Sequence, residues 1–168
     1  MFGFFKGKAR KPQEAEQVEY ETAPGTEIRY SPTLVDELKN EHQKLFASYV
    51  SIKTHFERND FASVSQLLND FRFDLHNHLI NENVRLYIYL SRITSHDQET
   101  FAMVRKFRQE MEGIGKTALR LLKKYEALDI DQELSEAFAK DFAAIGAILT
   151  ERVKNEEDVL YPLYKSCH

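Results

Sequence analysis

The chain has little cysteine, proline or glycine, and each shortage removes a class of protein. It has one cysteine, Cys167, which excludes an internal disulfide framework and fits a reducing, cytoplasmic setting. Six glycines and four prolines in 168 residues favour long uninterrupted helices over a β-rich fold. No apolar run approaches the roughly 20 residues that cross a bilayer. A net charge of −4 gives no reason to expect a nucleic-acid partner. There is no Gly-rich phosphate loop and no nucleophile–base spacing, so the sequence reads neither as an enzyme nor as the binder of an organic cofactor.

What is present is soluble and globular: 42% of residues are apolar and 30% charged, in a length suited to one domain. Residues 1–30 are polar, punctuated by Pro and Gly and without helical period, which predicts a flexible N-terminal tail ahead of a domain over 31–168. The leader "MFGFFKGKARK" (residues 1–11) sets three Phe beside four basic residues. It is too short for a signal peptide. A plain disordered leader and a weak, reversible membrane or protein-partner contact are both compatible with it.

From Ser31 the sequence reads as four helices. The first opens at "SPTLVDEL", with Ser31 as N-cap and Pro32 at the first helical position, and runs to about Glu57. "RNDF" breaks it. The second runs from near Asp60 to about Arg92. The third starts at "SHDQ", where Ser95 and Gln98 have capping-box spacing, and ends near Leu128. The fourth follows "DIDQ" and reaches about Tyr164. Turns this short make sequential helices antiparallel, so the expected fold is all-α, an up-down-up-down four-helix bundle.

Apolar residues spaced alternately three and four apart mark the inward seams. These are Val35, Leu38, His42, Leu45, Tyr49, Ile52 and Phe56 in the first helix, and Val64, Leu68, Phe71, Leu75, His78 and Glu82 in the second. The third gives Val104, Phe107, Met111, Ile114, Ala118, Leu121 and Tyr125. The fourth gives Phe138, Phe142, Ile145, Leu149, Arg152, Glu156, Val159 and Leu163. Only His42, His78, Glu82, Arg152 and Glu156 are strongly polar on these stripes. Measured from the helix ends, they fall within about one turn of a common height, with Met111 near the same layer.

Residue chemistry alone admits two accounts of such a layer. Histidines and carboxylates on facing helices are a usual way for a bundle to hold a metal ion, and His78-x-x-x-Glu82 offers two donors on one face. Alternatively, Arg152 pairs with Glu82 and Glu156 in a metal-free network, since a fixed cation is a poor neighbour for an ion. Glu157 reads as a solvated or supporting carboxylate and Glu110 as a reserve ligand. His76, His55 and His96 read as flank or helix-end residues, and Cys167–His168 as tail.

"LKNEHQKLF", "HLINENVRLYIYL" and "ERVKNEEDVLYPLY" together resemble the hemerythrin-like (HHE) cation-binding domains over residues 31–164. That resemblance implies a non-heme di-iron centre with ligands from all four helices, able to bind or sense oxygen. It places His42, His78, Glu82 and Glu156 on ligand positions. It also places Arg152 and Met111 where the family carries histidines, and so implies a half-site for one ion at most, iron being the metal. A second similarity, of "LTERVKNEED" to the C-terminal helix of bacterial regulator-of-sigma-D (anti-sigma) proteins, implies instead a metal-free protein-interaction regulator.

Overall fold

A computed structural model describes residues 22–127 and 134–166. Helix α1 spans Leu34–Glu57, two residues later than the Ser31 cap predicts. The Ser31 backbone N–H is tied to the Tyr164 hydroxyl at 2.8 Å and its carbonyl accepts from Leu34, so Ser31–Thr33 form a turn outside the helix. Thr33 takes the cap position, and its hydroxyl donates to Glu37 at 2.6 Å. Asp36 and Glu37 put negative charge on the first turn, where the helix dipole favours it. The helix stops where Asn59 enters the left-handed region (φ 57°), and Asp60 then caps α2 by accepting the Ser63 N–H.

Helix α2 (Phe61–Asn81), a π-helical segment (Glu82–Tyr87) and α3 (Ile88–Ile93) form one continuous rod. Asp97, not Ser95, caps the next helix: its carboxylate accepts from the Glu99 and Thr100 N–H groups, while the Ser95 hydroxyl turns back to the Arg92 carbonyl. Helix α4 covers Gln98–Lys124. Helix α5 (Leu134–Asn155) runs on through a second π segment (Glu156–Leu160) into a 3₁₀ turn at Tyr161–Leu163, where Pro162 ends the ladder. The rods pack in a ring, α1 on α2, α2 on α4, α4 on α5 and, more sparsely, α5 on α1. This is the four-helix up-down bundle.

Part of the segment read as tail is packed: Thr22 bridges Arg29, Ala23 is fully buried, and Tyr30 stacks on Tyr164. Residues 1–21, which include the aromatic-basic leader, and Cys167–His168 lie outside the described residues. Among the described residues no helix is long and apolar enough to cross a membrane.

The core is split in two. One apolar cluster holds Ile52, Leu68, Phe71, Leu122, Phe138 and Phe142; the other holds Leu38, Leu86, Tyr89, Leu90, Val104 and Leu160. Between them lies the buried polar set His42, His78, Glu82, Arg152 and Glu156. Three predicted seam positions are displaced. Val159 is 41% exposed and Leu160 takes its inward place, because the wider π turn carries the register forward by a residue. On α4 Gly115 and Leu122 are buried where Ile114 and Leu121 were expected. Gly115 sits so near α2 that a Cβ there would meet Leu79 at 2.9 Å, and this close approach sets the facing edge of α4.

Candidate metal centre

The polar layer draws its side chains from three of the four rods. Helix α1 supplies Glu41 and His42, α2 supplies His78 and Asn81, and α5 supplies Arg152. The π segments supply Glu82 with Tyr87, and Glu156 with Glu157. At 5% exposure or less, His42, His78, Glu82, Arg152 and Glu156 must be satisfied inside the protein.

The two imidazoles meet edge on, with His42 Nε2 and His78 Nε2 3.1 Å apart. Their other nitrogens face carboxylates: His42 Nδ1 lies 2.9 Å from Glu157 Oε1, and His78 Nδ1 2.8 Å from Glu41 Oε2. Asn81 steadies Glu41 by donating to its second oxygen at 2.9 Å. In the tautomer in which each Nδ1–H donates outward to its carboxylate, both Nε2 lone pairs point inward at one another. Such an arrangement needs a cation between them, either a proton or a metal ion. A carboxylate behind a ligating histidine is the usual device for fixing its tautomer and aim.

The carboxylates complete the cluster. Glu82 Oε1 accepts from the Tyr161 hydroxyl at 3.2 Å, and the same hydroxyl lies 3.3 Å from His42 Nε2. Glu82 Oε2 is buried with no hydrogen-bond partner. Glu156 Oε2 stands 3.6 Å from His42 Nε2, while its Oε1 takes the Arg152 Nε–H at 2.6 Å. One donor atom from each of His42, His78, Glu82 and Glu156 lies within 4.8 Å of the others.

Electrostatics follow from this crowding. Burial pushes the Glu82 carboxyl well above the usual range, and the nearby Glu156 charge adds to it. Burial also resists charge on both histidines. On His42 the Glu156 and Glu157 carboxylates outweigh it and the pKa rises; on His78 burial and the neighbouring His42 win and the pKa falls. These opposite shifts make His42 the better proton holder of the pair. Burial raises the Tyr87 and Tyr161 phenols, as do Glu82 and Glu156, so both stay protonated donors.

Arg152 is bound differently from the metal-free expectation. It pairs with Glu156 but not with Glu82; its Nη2 donates to the Tyr87 hydroxyl at 2.6 Å and to the Phe107 carbonyl at 2.7 Å. Its guanidinium also lies over the Phe107 ring. The short i, i+4 reach from Arg152 to Glu156 outcompetes the longer span to Glu82. Glu110, the reserve ligand, stays half-exposed and reaches Arg152 at 3.5 Å and Lys106 at 3.7 Å. Met111 is buried beside the layer. His76 and His96 are exposed, and His55 is held by Asp60 at 2.8 Å.

Reading the seams passed over Glu41, Tyr87 and Tyr161. A signal existed for each. Glu41 precedes a cluster histidine as Glu157 follows a cluster glutamate. Tyr87 and Tyr161 each stand five residues beyond a cluster glutamate, the spacing of a π turn. The tyrosines cross over, Tyr161 to Glu82 and Tyr87 to Glu156 at 3.5 Å.

An antiparallel bundle whose facing helices converge buried histidines and glutamates defines a helical cation-binding domain. The sequence model of one family, the hemerythrin HHE cation binding domain, matches residues 33–164. The chain belongs to that family. No curated protein and no solved structure matches it.

Proposed function

We propose that the chain is a metal-binding sensor or regulatory module whose layer is a half-site for a single non-heme iron ion. The observation that carries this is the pair of Nε2 atoms 3.1 Å apart, beside a buried Glu82 Oε2 that no group among the described residues satisfies. Two imidazole nitrogens with carboxylate oxygens suit iron among other first-row ions. His42, His78, Glu82 and Glu156 would hold the ion, and an iron ion there supplies a redox-active, Lewis-acidic centre. Glu41 and Glu157 aim the two imidazoles, and Tyr161 holds Glu82 in place. Arg152 and Met111 stand where the family's second histidine pair belongs. The guanidinium already compensates Glu156, so a second ion would face a fixed positive charge without imidazole donors.

The reading assigns no reaction, a cytosolic location, and a protein partner reached through an outer face or the N-terminal segment. Metal analysis of protein purified from iron-supplemented cells tests it. The expected result is about one ion per chain, with no absorption of an oxo-bridged iron pair in air. Two irons per chain would overturn the half-site.

A second reading, a metal-free interaction regulator of the anti-sigma kind, is favoured by one observation. Arg152, Glu156, Tyr87 and the Phe107 carbonyl close on one another without an ion. Protein that carries no iron, and whose melting temperature ignores added Fe(II) under anaerobic conditions, would establish it.

A further inference from the structure

The sparse packing of α1 against α5 leaves a cleft of about 340 Å³ that runs from the surface to the edge of the polar layer. Its walls are mainly apolar: Leu45, Phe46, Tyr49, Leu75, Met111 and Leu149. We propose that this cleft binds a neutral, mainly apolar small molecule of about two fused rings, whether or not a metal ion is present.

Size comes first. An apolar cavity of roughly 150 Å³ stays dry and accepts one benzene, and ligand pockets begin at about 300 Å³. The cleft therefore has room for more than one ring, and water along its apolar walls would find few polar partners. Second, the space is kept open by a specific fit. A Cβ at Gly146 would lie 2.3 Å from the Tyr49 hydroxyl oxygen. Only glycine at 146 lets the Tyr49 ring lie back against α5, stacked on Phe142 at 4.6 Å. Any larger residue would drive the ring from that seat toward the void.

Charge selects the ligand class. At the closed end Arg152 is paired with Glu156, and His42 with Glu157. An ionic ligand would enter a low-dielectric cleft with no unpaired counter-charge, whereas a neutral one loses nothing. Met111, with its flexible thioether, adapts to varied shapes. At the rim, Phe46 is 60% exposed. A bound molecule would cover apolar surface that the fold leaves in water.

The test is a titration of the full-length chain with the neutral fluorophore N-phenyl-1-naphthylamine, with indole as competitor. Saturable fluorescence enhancement at one probe per chain, with micromolar affinity and displacement by indole, is expected. Leu149→Trp fills the cleft and should weaken binding by about 10-fold or more, as added bulk in an apolar pocket typically does. Phe46→Asp alters only the exposed rim, so the fold is retained, and it should weaken binding several-fold. Lack of saturation in wild type would overturn the proposal. So would equal affinity in wild type and Phe46→Asp, which would put the probe elsewhere, for example at Phe73. Light scattering that shows a dimer dissociated by the probe would give the cleft to a second copy of the chain instead.

Discussion

The two halves of the polar layer are built from similar parts and end in opposite states. Around Arg152, Glu156 and Tyr87, each strong donor has found an acceptor, and a guanidinium supplies permanent positive charge. Around His42, His78 and Glu82, two nitrogens face each other and a carboxylate oxygen faces nothing. Both halves have a glutamate, a π turn and a tyrosine from the opposite rod. What separates them is the cation. One half carries its own on a side chain, and the other must take one up from solution.

The largest effect should come from removing the carboxylate of the closed half. Glu156→Ala strands a buried guanidinium, a change that typically costs about 3–5 kcal/mol. Glu82→Gln replaces a carboxyl that burial already biases toward its neutral form and that lacks a partner on one oxygen, so metal-free stability should shift by no more than about 1 kcal/mol, the scale of one hydrogen bond. Denaturant titration of both variants tests the contrast, and equal losses would erase it.

Next in size are the carboxylates behind the imidazoles. Glu41→Ala and Glu157→Ala leave the four converging donors in place but free the rings to turn. Each should weaken Zn(II) or Co(II) affinity by about 10–100-fold, the usual cost of losing such a partner. Glu110→Ala, which within the layer touches the closed half alone, should leave affinity unchanged in the same competition assay.

The pH dependence should differ in sign with and without metal. His42 and Glu82 have raised pKa values in the folded protein, so the folded state binds more protons than the unfolded one. Metal-free stability should therefore fall as pH rises from about 6.5, the ordinary histidine value, toward 8. The lowered pKa of His78 acts in the opposite sense, but only below its ordinary value. A bound ion competes with these protons, so metal-loaded protein should instead gain stability over the same interval. Melting curves at three pH values in each state would show it. Parallel slopes would mean that proton and metal do not share the site.

The smallest effect belongs outside the layer. Asp97→Ala removes a cap that accepts two backbone N–H groups of α4. It should lower the melting temperature modestly and leave metal affinity untouched, which separates loss of the bundle from loss of the site.

Much of this contrast is legible along the chain. His42, His78, Glu82, Arg152 and Glu156 interrupt apolar stripes at matching heights, and a polar residue at an inward position marks a site because burial without a partner is costly. Less legible was which partner each residue takes. Arg152 could reach either glutamate by residue count, and the span between rods leaves it with Glu156, four residues on in its own rod. Glu41 lies off the seam of α1 and looks solvated until α2 is set beside it, when it reaches His78 Nδ1 at 2.8 Å. The cap of α4 was missed by two residues, because Ser95 and Asp97 both carry capping side chains and the local turn chose between them.

By itself, then, the sequence determined the four rods, their antiparallel order and the layer at which polar groups enter the core. These follow from helical periodicity, short turns and the scarcity of glycine and proline, all of which act between near neighbours. The tertiary structure decided the rest. It set the two π turns, the register they shift, the crossing of Tyr87 and Tyr161 to opposite glutamates, and the cleft that Gly146 keeps open. Each of these depends on distances between rods, and a helical repeat fixes which face a residue is on but not how near the next rod comes.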